Sequence, residues 1–253
     1  YAVPAQTPAW PQFSWAYFGW IVVGAAFQIG ATAALLLAMQ QRNFAVAVTL
    51  SKSEVLQVAL FGAVLLAEWP SMGMWGAMAL ATAGVMMLSL PPRSVSPSAA
   101  TSPMAWFSRS AGYGLLCGAC FAIATVGFRG AAVALQAPSP WLSAAWGVTV
   151  AQLLQSIGLG AWIAWRSPGG LWPVLRAWRV SLLAGSMGAV ASLAWFSAYA
   201  MQSAAAVRTV GMVEVLFSLL VSRRIFKESL RLSEGIGLAL MLAGIVLICM
   251  QYV

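Results

Sequence analysis

The chain has 253 residues, of which 62% are hydrophobic and 7% charged, and its 13 basic against 5 acidic side chains give a net charge of +8. So much apolar surface cannot be hidden in one globular core, which excludes a soluble domain and assigns the chain to the lipid bilayer. The positive charge is thinly spread and falls mostly in loops between apolar runs, a distribution that orients membrane proteins and is not the footprint of a nucleic-acid binder.

Taken in chain order, apolar runs of spanning length are predicted at residues 15–39, 44–67, 72–90, 111–128, 141–165, 180–200, 204–221 and 235–252. These make an all-α polytopic membrane helix bundle of eight spans. Ahead of the first, residues 1–11 lack the basic n-region of a signal peptide. Between the third and fourth, Pro91-Pro92-Arg93-Ser94-Val95-Ser96-Pro97-Ser98 and the residues up to Pro103 are neither periodic nor apolar, and read as an extended polar linker. The expected organisation is a first unit of three spans over 1–90, a linker over 91–110 and a second unit of five spans over 111–253.

The tryptophans Trp10, Trp15, Trp20, Trp69, Trp75, Trp141, Trp162, Trp165, Trp172 and Trp178 gather near predicted span ends, where an indole prefers the headgroup layer. Trp195 sits deeper and is a candidate to line a pathway. Cys117 and Cys120 form a Cys-x-x-Cys, but they lie among Gly114, Gly118 and Ala119 in an apolar helix. Such a cluster of small residues lets helices approach closely and is not read as a redox or metal pair.

The two halves repeat each other. Val48-Thr49, Glu54-Val55-Leu56, Glu68 and Gly84-Val85 recur 160 positions later (214 − 54) as Arg208-Thr209, Glu214-Val215-Leu216, Glu228 and Gly244-Ile245. A full duplication of the five-span half would need about two further helices upstream, so the chain is expected to be N-terminally incomplete, with eight spans of ten. An odd number of spans per copy sets the copies in opposite orientations across the membrane, as inverted repeats.

The repeated second span of each half carries the unusual chemistry. Lys52 and Glu54 fall about ten residues into their span, roughly 15 Å along a helix, and Glu214 and Arg208 occupy the related helix. Charges at such depth are costly unless they pair or line a hydrated cavity, which makes them candidate substrate-binding or coupling residues. Thr49, Ser53 and Gln57 form a polar stripe beside them in the first copy, and Gln28 is a weaker mid-span candidate. On a continuous helix Lys52 and Glu54 point about 200° apart. Each must therefore meet something else: an opposite charge of the other repeat (Lys52 with Glu214, Arg208 with Glu54), a substrate group or a proton. A cross-repeat ion pair that only fixes packing stays open beside these. Glu68 and Glu228 end their helices at the water interface and read as loop residues.

The blocks Ser51-Lys52-Ser53-Glu54-Val55-Leu56-Gln57 through Glu68, and Arg208-Thr209-Val210-Gly211-Met212-Val213-Glu214 through Phe226-Lys227-Glu228, each followed by Gly84 or Gly244 in an apolar helix, resemble the EamA-type drug/metabolite transporter superfamily. The resemblance runs over nearly the whole chain. It implies a ten-helix inner-membrane carrier of two five-helix inverted repeats, with substrate in a central cavity. The expected function is secondary transport, export or exchange, of a small polar metabolite such as an amino acid or organic anion by alternating access.

No cofactor and no metal site are expected. With no His and no Asp in the chain, neither a zinc His pair, a Ser-His dyad nor an aspartyl pair can be assembled, so an enzyme is not expected. The expected partners are a small-molecule substrate, the bilayer and, as a candidate coupling ion, the proton, which Glu54 or Glu214 would bind in one access state and release in the other. The alternative function is a non-transporting membrane scaffold or assembly protein, in which the four charges form a dry ion cluster. Orientation is in conflict: the arginine and lysine count puts the C-terminus outside, whereas the resemblance implies that both termini are cytoplasmic.

Overall fold

A computed structural model describes residues 10–40, 44–89, 109–167, 169–217, 220 and 232–251. Its helices are α1 (Trp15–Met39), α2 (Phe44–Ser51), α3 (Glu54–Leu66), α4 (Met72–Ser89), α5 (Arg109–Leu135), α6 (Pro140–Arg166), α7 (Leu171–Arg176), α8 (Trp178–Met201), α9 (Ala204–Gly211) and α10 (Leu232–Met250). No strand occurs among the described residues. Among the described residues, seven segments are long and apolar enough to cross a membrane, with 46–66 counted as one across its interruption. The eighth expected span is described at 204–217 and 220, and it too is interrupted. The short α7 was not anticipated. The proline- and serine-rich stretch up to Pro103, and Glu228, lie outside the described residues.

Serines set several helix starts by accepting hydrogen bonds from orphan backbone N–H groups. Ser14 Oγ accepts from Tyr17 N at 3.1 Å, Ser71 Oγ from Met74 N at 3.1 Å, and Ser139 Oγ from Leu142 N at 3.2 Å, with Pro140 opening α6. Large side chains such as Val180, Leu182, Leu183 and Val190 of α8 are exposed, while alanines dominate the buried set. Large apolar groups outside and small ones inside is the pattern of helices packing in lipid, where close backbone approach replaces the hydrophobic drive.

The chain forms two compact units, neither of which is one sequence half. The first comprises the described residues of Tyr1–Ile29 and Ala124–Gln202. Here Gly127 lies where a Cβ would come within 2.8 Å of Gly24 N, so α1 and α5 cross nearly backbone to backbone. Phe128 and Phe196 pack with ring centroids 4.6 Å apart, and Arg129 Nη1 donates to Tyr199 O at 2.7 Å, near the C-terminal end of α8.

The second unit comprises the described residues of Gly30–Ile123 and Ser203–Val253. Its central contact joins α4 and α10. A Cβ on Gly84 would lie 2.5 Å from both Gly237 O and Met241 N, and a Cβ on Gly244 would lie 2.6 Å from both Ala77 O and Ala81 N. Adding 160 to 77, 81 and 84 gives 237, 241 and 244, so the contact maps onto itself when the repeats are exchanged. That is the signature of a two-fold relation between the copies.

Candidate functional site at two interrupted helices

The expected continuous span over 44–67 is interrupted. Helix α2 ends at Ser51, Lys52 and Ser53 form a turn, and α3 begins at Glu54. The backbone tightens there to three-residue spacing, with Lys52 N donating to Thr49 O at 3.2 Å and Ser53 N to Leu50 O at 3.1 Å. Two serine hydroxyls compete for helix carbonyls at this point: Ser51 Oγ donates to Val48 O at 2.8 Å and Ser53 Oγ to Leu50 O at 2.7 Å. Back-bonding of this kind bends helices.

The related span breaks at the related place. Helix α9 ends at Gly211, Met212 and Val213 form a turn, and helical backbone resumes at 214–217. Met212 N donates to Thr209 O and Val213 N to Val210 O, both at 3.1 Å. These are the two bonds of the first break moved by 160 positions. The second break contains no serine; it falls at Gly211, which costs helix stability through backbone entropy.

Both acidic residues therefore open the segment that follows a break, and both meet a cation of the other copy within the second unit. Arg208 Nη2 contacts Glu54 Oε1 directly, with side chains 23% and 11% exposed. Lys52 Nζ lies 3.7 Å from Glu214 Oε1, with exposures of 32% and 60%. Two of the pairings open to these charges are thus the ones formed. The first is a close, largely buried pair. The second is beyond the 2.7–2.9 Å typical of a charge-assisted hydrogen bond and is largely open.

The supporting residues are close at hand. Gln57 Nε2 donates to Ser53 Oγ at 2.9 Å, fixing the turn to the first helical turn of α3. Thr49 is buried and its hydroxyl donates to Ser89 O at 3.3 Å, tying α2 to the end of α4. Helix α5 lies over the first break through the small residues of its Cys-x-x-Cys stretch. A Cβ on Gly118 would meet Ser51 O at 3.1 Å and Gln57 Nε2 at 3.2 Å, and one on Gly114 would collide with the backbone of Ala47. Cys117 and Cys120 are free thiols.

The remaining two candidates belong to the first unit. Gln28 of α1 accepts from Gln155 Nε2 of α6 at 2.7 Å, and the same amide nitrogen donates to Ala25 O at 3.3 Å. Trp195 of α8 is partly buried and stacks on Tyr199 with centroids 5.9 Å apart. Gln155 was missed from the sequence, though a glutamine amide in the middle of an apolar span is a signal of the kind that singled out Gln28.

Apolar helices able to cross a bilayer, a two-fold contact between repeats, and charges at interrupted spans define a polytopic membrane protein of the carrier type. The model of the EamA-like transporter family matches residues 110–250, more than half of the chain, and the chain belongs to that family. The resemblance drawn from the sequence is borne out over residues 110–250. No curated protein matches the chain.

Proposed function

We propose that this family member is a secondary transporter that exports or exchanges a small polar metabolite, such as an amino acid or organic anion, across a bacterial inner membrane by alternating access. The observation that carries the reading is the pair of repeat-related breaks, each followed by a carboxylate that meets a cation of the other copy. Interrupted spans expose backbone and charge at membrane depth, which is tolerated where they serve a substrate or ion. Lys52, Glu54, Arg208 and Glu214 are the residues we assign to binding or coupling, with Thr49, Ser53 and Gln57 holding the first break. Gln28 and Trp195 are assigned as further contacts along the substrate's route.

The scaffold alternative draws on the close Arg208–Glu54 pair, since buried pairs often serve packing alone. The 60% exposure of Glu214 speaks against a dry four-charge cluster. Protons are proposed as the coupling ion. In reconstituted vesicles, substrate movement should follow an imposed pH gradient and lose that dependence in Glu54→Gln or Glu214→Gln. Movement indifferent to the gradient, with exchange intact, removes the proton and leaves the acids as binding groups. A chain that moves no small metabolite at all removes the transporter reading.

A further inference from the structure

The corner that joins α6 to α8 plays no part in the reading above, yet it carries a chemistry of its own. We propose that it docks the headgroup of an anionic glycerophospholipid, with the guanidinium groups of Arg166, Arg176 and Arg179 selecting for a phosphodiester whose negative charge is not cancelled within the lipid.

The local backbone gathers three cations where two spans meet. Arg166 closes α6, and Gly169, at φ +91°, turns the chain. Ser167 O accepts from Gly170 N at 2.8 Å and Gly169 O from Trp172 N at 3.1 Å, which starts α7. Arg176 ends α7, and Arg179 falls in the first turn of α8 with its guanidinium 5.4 Å from the centroid of the Trp178 ring. Trp162, Trp165, Trp172 and Trp178 are all exposed, and an indole settles at headgroup depth. The three arginines are exposed too, and among the described residues none of them meets a carboxylate. The acids of the chain are Glu54, Glu68, Glu214, Glu228 and Glu234, so the sequence from 69 to 213 holds none. Guanidinium groups at that depth with no acid beside them attract anionic lipid, and their planar fork fits two phosphate oxygens.

The duplication supplies the comparison that points to a ligand. Trp10-Pro11 and Ala38-Met39-Gln40 recur as Trp172-Pro173 and Ala200-Met201-Gln202 after 162 positions (172 − 10, 201 − 39). The spacing falls to 160 beyond α8 because the connection from α1 to α2 is two residues longer than that from α8 to α9. Arg166, Arg176 and Arg179 thus correspond to Pro4, Ser14 and Tyr17, and residues 4–17 carry no charge at all. Two of these positions serve the fold in the first copy: Ser14 caps α1 and Tyr17 is fully buried. In the second copy the same positions hold exposed cations that cap and pack nothing of the kind. Five candidate spans separate the two segments, an odd number, which sets them at opposite membrane surfaces. The aromatic anchor is common to both surfaces, whereas the attraction for negative headgroups belongs to one.

The test titrates the full chain in neutral detergent with dioleoylphosphatidylglycerol and, separately, dioleoylphosphatidylcholine, and counts bound lipid by native mass spectrometry. The anionic lipid should bind at least about 10-fold more tightly. The triple variant Arg166→Gln, Arg176→Gln, Arg179→Gln should lose that preference, and the triple lysine variant at the same positions should keep most of it. Should the glutamine triple fail to fold, Arg176→Gln and Arg179→Gln taken singly should each weaken the preference about 3- to 5-fold. Amide hydrogen exchange should slow over 166–179 on adding phosphatidylglycerol and stay unchanged over 10–17. Equal binding of the two lipids by the wild type overturns the proposal, as does a preference that survives in the glutamine variants. Loss of the preference in a folded lysine variant overturns it as well, since charge would then not be the cause. Displacement of the lipid by an equimolar amount of inorganic phosphate would mark a site for free anions and overturn the assignment to lipid.

Discussion

At residues 52–53 the break is closed by side chains. Two serine hydroxyls occupy helix carbonyls, Gln57 reaches back to Ser53, Gly118 lets α5 lie over the turn, and Arg208 covers Glu54. At residues 212–213 the same backbone bonds form at the same positions of the repeat, yet Glu214 is 60% exposed and its cation stands 3.7 Å away. Duplication has kept the backbone device while letting the charges diverge. The cations mark the divergence: position 48, related to Arg208, is a valine, and position 212, related to Lys52, is a methionine. Exchanging the copies would superimpose the breaks but not the ion pairs. One break is held by a close, buried pair and the other by a wider, open one, a difference that identical copies would not show.

The largest effect that separates them should come from Arg208→Met. It leaves Glu54 buried without its cation and should lower stability by about 3–5 kcal/mol, read as a fall in the thermal unfolding midpoint in detergent. Adding Glu54→Met should return most of that loss, because the penalty belongs to the stranded charge. Recovery that fails to appear would mean that the loss does not come from the stranded charge.

Next in size are the glycines of the symmetric contact. Gly84→Val and Gly244→Val each drive a side chain into the backbone of the opposite helix and should cost about 1–3 kcal/mol. Equal losses would support the two-fold relation of α4 and α10, whereas a tolerated substitution on one side alone would break it.

Ser53→Ala removes the hydroxyl that binds Leu50 O and receives Gln57, and should cost about 1 kcal/mol. Its signature is a slower helix break: amide hydrogen exchange over residues 50–57 should change, with 210–217 unaffected. A matching change at the second break would show that the two turns move together.

The smallest stability effect belongs to Lys52→Met, within about 1 kcal/mol for so open a pair. Substrate movement should nevertheless fall far more than protein yield. A variant that unfolds as readily as Arg208→Met would erase the contrast between the two pairs.

Much of the fold was legible. Span lengths follow from the depth of the hydrocarbon layer, so 15–39 coincides with α1 and 72–90 ends one residue beyond α4. The expected span 111–128 falls short of α5, which runs over Arg109–Leu135: the apolar run stops at the charge of Arg129, yet the helix continues past it and its long side chain reaches the end of α8. The breaks were not legible: the polar run Ser51-Lys52-Ser53-Glu54 reads equally well as the polar face of a continuous helix, and what interrupts the first helix is the local competition of Ser51 and Ser53 for carbonyls, whereas the second break falls at Gly211. The angular argument separating Lys52 from Glu54 assumed a continuous helix; of the alternatives it left open, the opposite charge of the other copy is the contact formed by each.

The sequence by itself determined that the chain lives in lipid, that it is helical, that its halves repeat each other and which four charges fall within the repeated apolar spans, because each of these depends on composition, length and period along one dimension. Only the tertiary structure decided which cation meets which acid, how closely, and how much of each remains open. Those quantities depend on where α5, α9 and the two breaks bring side chains that are more than 150 positions apart (208 − 54, 214 − 52), and no local pattern encodes a distance between them.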